Sequence, residues 1–219
     1  CILLDKDRIA GGTGKDAMAQ VTSQHGLIYS KLVERDGEEK ARMYFQVNEL
    51  AIQKYRELSK QINCDFEETS SYVYSKNDRE KLEKEIDAVS RIGGKAEFCE
   101  TTELPFATSG AVRFQGQAQL NPEKLMNGLV KELEKYQNIH MYEGVEIDDW
   151  FRRAIWCGMH VTVADHIICT THTPFYEKLG KYNRKLHMEE SCILALENAQ
   201  KIHGMYTDEA QGGLSFRSY

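Results

Sequence analysis

Residues Cys1–Gly26 read CILLDKDRIAGGTGKDAMAQVTSQHG. A short apolar run closes on Asp5 and passes within a few residues into a glycine loop, Gly11-Gly12-Thr13-Gly14-Lys15-Asp16. In an open parallel sheet, an acid at the carboxyl end of the second strand accepts hydrogen bonds from ribose hydroxyls, and glycines beyond it let a ligand approach the backbone. Strand, acid and glycine loop therefore read as the middle of a dinucleotide-binding unit, here with no preceding strand and phosphate turn. A plain turn entering a short helix is the competing reading, and the loop residues alone leave both open.

The residues that follow alternate between helical and strand patterns. Gly37–Ile62 places Ala41, Tyr44, Phe45, Ile52 and Tyr55 at helical intervals, with acids early and lysine late, which predicts a long amphipathic helix. Cys64–Ser75 is aromatic and β-branched, a strand pattern; Asn77–Ile92 carries the stripe Leu82, Ile86, Val89 of a second helix, stopped by Gly93-Gly94. Short strands are expected at Lys95–Glu100 and Ala111–Phe114, on either side of the loop LPFATSG. Asn121 and Pro122 are a cap and first-turn pair opening a helix to about Tyr136. Beyond it Ile139–Tyr142, Val145–Asp149, His160–Val163, His166–Thr170 and Ser191–Leu196 read as strands, with HIICT (166–170) suited to burial on both faces and turns at Gly204 and Gly212-Gly213.

This order predicts an α/β chain, α+β overall, in which a partial Rossmann-like domain is interleaved with a mixed, largely antiparallel sheet domain. The expected bounds are 1–63 with 121–176 for the first and 64–120 with 177–219 for the second.

Bulk properties exclude several classes. The formal net charge of -6, with no Lys/Arg-dense stretch, argues against nucleic acid as a partner. No apolar run approaches the roughly 20 residues of a membrane span, and Cys1–Leu4 is too short for a signal-peptide core, so a soluble cytoplasmic protein is expected. The six cysteines are scattered without a CxxC pair and read as buried free thiols. His160, His166 and His172 have no ligand companions at metal spacing, and no metal site is expected.

RIAGGTGKDAMAQVTSQHGLIY, followed by GEEKARMYFQVNELAI, resembles the second-strand region of FAD-dependent oxidoreductases of the D-amino-acid oxidase and glycine oxidase superfamily. It is most similar to the bacterial branch of glycine/D-amino-acid oxidases (deaminating). Further segments agree in order: LPF, GQAQLNP, ADHIICTTHTPF, RKLHMEESCILAL, HGMY and LSFR. The loop is one residue shorter than the GGTTG run usual there, Asp16 stands where small or polar residues are usual, and ICTTH replaces an A-T-G strand end.

The resemblance implies FAD as cofactor and a small amine or amino-acid substrate. By position Asp5 would bind the adenosine ribose, and Gly12, Thr13, Gly14 and Lys15 would line the approach to pyrophosphate and flavin. Thr22, Ser23, Gln24 and His25 would lie beside the flavin ring, although Gln24 and His25 could instead pin the next helix. Val145 would meet adenine, and Thr170, Thr171 and His172 would pass near the pyrophosphate. Arg217 would hold a substrate carboxylate in a two-pronged bond, with Tyr206 assisting or packing. No catalytic side-chain base is required if the amine is neutral.

Family members begin with a GxGxxG strand-turn and continue past LSFR into a flavin-covering segment. The chain is therefore expected to be an inactive fragment of a longer flavoenzyme, binding FAD poorly by itself and prone to homodimerise through an exposed sheet edge. An additional iron–sulfur domain occurs in some members of the branch. A non-catalytic scaffold and a nicotinamide-dependent dehydrogenase are the competing functions.

Overall fold

A computed structural model describes residues 1–172, 186 and 189–218. In chain order they form β1 (Ile2–Leu4), a 3-10 turn (Thr13–Asp16), β2 (Gln20–Val21), α1 (Tyr29–Asp36), α2 (Glu38–Ser59), β3 (Glu67–Ser75), α3 (Arg79–Arg91) and β4 (Glu97–Cys99). There follow β5 (Gly110–Gln119), α4 (Pro122–Leu133), β6 (His140–Tyr142), β7 (Asp149–Phe151), β8 (Ala154–Cys157), β9 (His160–Val163), β10 (Met205–Asp208) and β11 (Ser215–Arg217). The chain is a mixed α/β protein.

It divides into two compact units interleaved along the sequence, Cys1–Asp16 with Leu129–Ala195 and Ala17–Gly128 with Leu196–Tyr219. In the first unit β1 and β6 pair in parallel, Ile2 opposite His140 and Leu4 opposite Tyr142, and β7, β8 and β9 form an antiparallel meander. The β7–β8 turn carries Arg152 at φ 55, with none of the glycine or asparagine that usually marks such a turn.

The second unit is built on a sheet ordered β11-β10-β3-β5-β2, with β4 also on β5. Helices α1, α2 and α3 cover one face. Tyr29, Ala41, Leu82, Ala88, Val89 and Ile92 from the helices pack against Val73, Val112 and Phe114 from the sheet, and Tyr29 stacks on Phe114 at 6.0 Å. On the other face Tyr72 and Tyr206 stack at 4.6 Å in a cluster with Tyr74, Leu104, Ala111, Phe106 and Phe216.

Local chemistry explains the element ends. Asp78 accepts the Lys81 N–H at 3.1 Å and Asn121 Oδ1 the Lys124 N–H at 3.0 Å, each capping a helix for about 1 kcal/mol. Gly37, at φ 86, separates α1 from α2 by a backbone conformation that other residues resist.

Several expectations are corrected. Residues 17–63 group with the sheet of the second unit rather than with β1 and β6, because Leu27, Tyr29 and Ala41 share one core with Val73 and Val112. The strand expected from Val145 begins only at Asp149. His166–Thr170 and Ser191–Leu196 form no strand; Ile168 is 83% and Leu194 85% exposed, and neither run has a pairing neighbour among the described residues. Of the six cysteines, all free, only Cys64 is buried, while Cys1, Cys169 and Cys192 are exposed. The domain bound at 176/177, Thr173–Phe175 of the THTPF turn, and Arg184, Lys185, His187 and Met188 of RKLHMEESCILAL lie outside the described residues.

Candidate functional site

Asp5 directly follows β1, at the carboxyl end of the parallel pair. Its N–H donates to Tyr142 O (3.0 Å) and its carbonyl accepts the Val145 N–H (2.9 Å), so the backbone is clamped between β6 and the residue after Gly144. The Asp7 N–H donates to Asp5 Oδ1 at 2.9 Å, fixing the carboxylate at the strand end. Sequence order alone would leave that side chain to rotate; the Asp7 amide holds it.

The glycine loop is tied back by Gly11 N–H to Arg8 O (2.8 Å) and by Ile9 N–H to Glu143 Oε1 (2.9 Å). A Cβ built on Gly12 or Gly14 would meet nothing within 4 Å, so the backbone there is open to an approaching group. Thr13–Asp16 forms one 3-10 turn, in which Lys15 Nζ lies 2.9 Å from Asp16 Oδ1. An anchored acid at a parallel strand end and an uncovered glycine backbone after it fit the ribose and phosphate portions of a dinucleotide. Val145 is half-buried with its amide committed to Asp5, whereas Thr170, Thr171 and His172 are exposed, the His172 N–H donating to Thr170 O at 3.1 Å.

In the second unit, Thr22–His25 runs from β2 across the sheet toward α1. Gln117 Oε1 accepts the Ser23 N–H at 2.7 Å and the Tyr29 hydroxyl donates to Ser23 O at 2.6 Å. Gln24 Nε2 donates to Val112 O (2.9 Å), and its Oε1 accepts the Ser71 hydroxyl (2.6 Å). Ser23 and Gln24 are buried, so their side chains are spent on holding the segment; His25 emerges exposed. His25 Nδ1 lies 2.8 Å from the Tyr44 hydroxyl, and desolvation of the imidazole lowers its pKa below the ordinary histidine value against an opposing Thr22 backbone hydrogen bond. His25 also lines an open cavity of about 720 Å3 with Gly26, Ile28, Lys31, Arg35 and Glu209.

Arg217, Met205 and Ser71 lie directly opposite one another across β11, β10 and β3, and so share a face. This row joins Arg217 to the Thr22–Gln24 segment, because Ser71 is the residue that bonds Gln24. Tyr206 belongs to the alternate row, opposite Phe216 and Tyr72, and therefore faces the other side of the sheet. Its ring is buried, which pushes its pKa up to about 12.

A bend closes the face that carries Arg217. Gln20 pairs at the Glu67 end of the β3–β5 ribbon, while Thr207 pairs with Val73, about 20 Å further along a straight strand. Yet the Thr207 hydroxyl reaches Gln20 Oε1 at 3.5 Å, and Arg217 Nη1 reaches Leu120 O at 3.4 Å. The register breaks between Thr69 and Ser71, where Gly116 has φ 69, and a bulge there folds the ribbon back over the face.

The residues doing this holding, Gln117, Ser71, Tyr29 and Glu85, were not among those singled out in the sequence. Glu85 alone carried a signal: it interrupts the apolar stripe between Leu82 and Val89, and it is fully buried. Its Oε1 and Oε2 accept the N–H groups of Tyr29 and Ser30, each at 2.8 Å. Among the described residues no group of three or more His, Cys, Asp or Glu side chains is placed to hold a metal ion.

Residues 1–212 match the family model of the FAD dependent oxidoreductases, DAO. Among curated proteins, the putative Rieske 2Fe-2S iron-sulfur protein YhfW of Bacillus subtilis is 25% identical over 224 residues, covering 99% of this chain and 44% of its own length. Glycine oxidase from Geobacillus kaustophilus superposes with a TM-score of 0.57 at 15% identity, over 74% of this chain and 46% of that one. L-proline dehydrogenase from P. horikoshii gives 0.58 at 11% identity, over 74% and 43%. These structural likenesses speak to the fold, and the chain spans less than half the length of the proteins it matches. The family match extends over all but the last residues: the chain belongs to the DAO family of FAD-dependent oxidoreductases.

Proposed function

We propose that these residues serve within a longer flavoprotein that oxidises an amine or amino-acid-like substrate. The observation that carries the reading is Asp5, fixed by the Asp7 amide at the carboxyl end of the β1–β6 pair, where a dinucleotide's ribose hydroxyls find an acceptor. Bound FAD would supply the hydride acceptor.

The remaining work falls to the chain's own groups. Gly12–Lys15 and Thr170–His172 would approach the phosphates, Val145 the adenine, and Thr22–His25 the flavin ring. Arg217 would hold a substrate carboxylate through its planar guanidinium. Tyr206 backs the same sheet from its far side and stiffens it through the Tyr72 stack.

Six free cysteines support a reducing, cytoplasmic setting. No helix of the described residues is long and apolar enough to cross a membrane. Homodimerisation through the β1 edge is expected of the chain taken alone, since in the longer flavoprotein a further strand would cover that edge.

Purifying the whole gene product and adding glycine, L-proline or D-alanine under anaerobic conditions tests it. A yellow protein whose flavin absorbance is bleached by at least one of these is expected. A colourless protein, or one bleached only by a reduced nicotinamide, overturns the assignment.

A further inference from the structure

We propose that Glu85 is a positioning residue, tethering the Thr22–His25 segment to α3 by capping α1 from a different helix. The meaning of that segment rests on the function proposed above; the tether itself does not.

The start of α1 has no local cap, since Ile28 at its N-cap position offers no side-chain acceptor. The first four N–H groups of a helix lack partners within it, and an acidic acceptor there also meets the positive end of the helix dipole. Glu85 supplies that acceptor from α3, binding the Tyr29 and Ser30 amides with one oxygen each at 2.8 Å. Such bonds to a carboxylate are stronger than neutral ones. A serine or aspartate at position 28 would be the ordinary device for capping α1. A carboxylate 55 residues further along the chain does something more: it sets α1 at a fixed place relative to α3.

From Tyr29 the hold passes to the segment itself. The Tyr29 hydroxyl donates to Ser23 O at 2.6 Å while Gln117 takes the Ser23 N–H at 2.7 Å, so both backbone polar groups of Ser23 are fixed by buried side chains. Tyr29, Ser23, Gln117 and Glu85 are all at most 1% exposed, so water offers these groups no substitute partner. Two residues beyond Ser23, His25 projects outward against Tyr44. Its position follows from the three anchors behind it.

The test compares the whole gene product with its Glu85→Gln and Glu85→Ala variants by amide hydrogen exchange and by NMR titration of His25. Glu85→Gln keeps the shape but turns one acceptor into an N–H group facing an amide. The expected result is exchange at the Ser23 and Gln24 amides faster by at least tenfold, with β3 and β5 amides around Val73 and Val112 much less affected. The His25 midpoint should move up toward the ordinary value as the loosened segment exposes the imidazole to water. Equal acceleration everywhere would mean a merely less stable protein and overturns the proposal, as does an unchanged Ser23 amide and His25 titration. Should Glu85→Ala fail to fold, the Gln variant decides alone. In the flavin-bearing gene product, Glu85→Gln should also alter the shape of the flavin absorbance band. Local loosening with an unaltered band would keep the tether and overturn the placement of this segment at the flavin.

Discussion

Tyr206 illustrates how one buried ring couples packing to pH. Its hydroxyl belongs to a side chain 2% exposed, and burial raises its pKa from 10.0 to about 12. The unfolded chain therefore ionises this tyrosine first, and the stability it contributes below pH 10 is lost as pH rises through 12. The loss is on the order of 2–3 kcal/mol. Tyr29 and Tyr74 are displaced upward by the same cause and add to the decline, so the share of Tyr206 is read as a difference. Denaturant unfolding at successive pH values should show a shallower fall between pH 10 and 12 for Tyr206→Phe than for the native chain; parallel curves would show that the ring is not sealed from water. Gln20 Nε2 and Gln119 Oε1 are the converse case. They are buried without a hydrogen-bond partner among the described residues, a condition that costs about 1–3 kcal/mol for each group. Both flank the place where the folded-back ribbon meets β10 and β11.

Among the elements, α4 packs closely on Ile62 at Gly128. A Cβ there would overlap Ile62 Cγ2, so the glycine is what permits the approach. Gly128→Ala gains about 1 kcal/mol of helix propensity but forces an overpacked contact costing about 1–3 kcal/mol. The net outcome expected is a lower denaturation midpoint, and a smaller drop when Gly128→Ala is introduced into an Ile62→Ala background than into the native chain. A midpoint that rises in the single variant would show that Ile62 rotates away freely. Helices α2, α3 and α4 were legible in the sequence because periodicity and caps are local signals, as with Asn121 and Asp78. α1 was not, since its eight residues are few and its cap lies in α3. Strands proved harder to read because pairing decides them. HIICT has the composition of a buried strand yet forms none, whereas β10 and β11, unremarkable in sequence, pair with β3 and with each other.

Over the whole molecule, the strand-acid-glycine stretch was visible in the sequence, and the surroundings of Arg217 were not. Asp5 and Gly12–Lys15 are contiguous, and their strand-acid-glycine order is itself the signal. Arg217 is linked to the Thr22–Gln24 segment through a cross-strand row and a bulge that bends the β3–β5 ribbon, and both depend on pairing between residues far apart in the chain. Tyr206 lies in the alternate row from Arg217, which favours the packing role over the assisting one among the two that the resemblance left open. Family membership follows from a match over residues 1–212, and the fold agrees with glycine oxidase and L-proline dehydrogenase. The proposed cofactor site rests on the anchored carboxylate of Asp5. Its direct test is the affinity of the whole gene product for FAD and for FMN, which lacks the adenosine, before and after Asp5→Ala. Loss of hydrogen bonds to a charged group should weaken FAD binding by at least about tenfold and leave FMN unchanged. Unchanged FAD affinity, or an equal fall for both flavins, would contradict a ribose contact at Asp5.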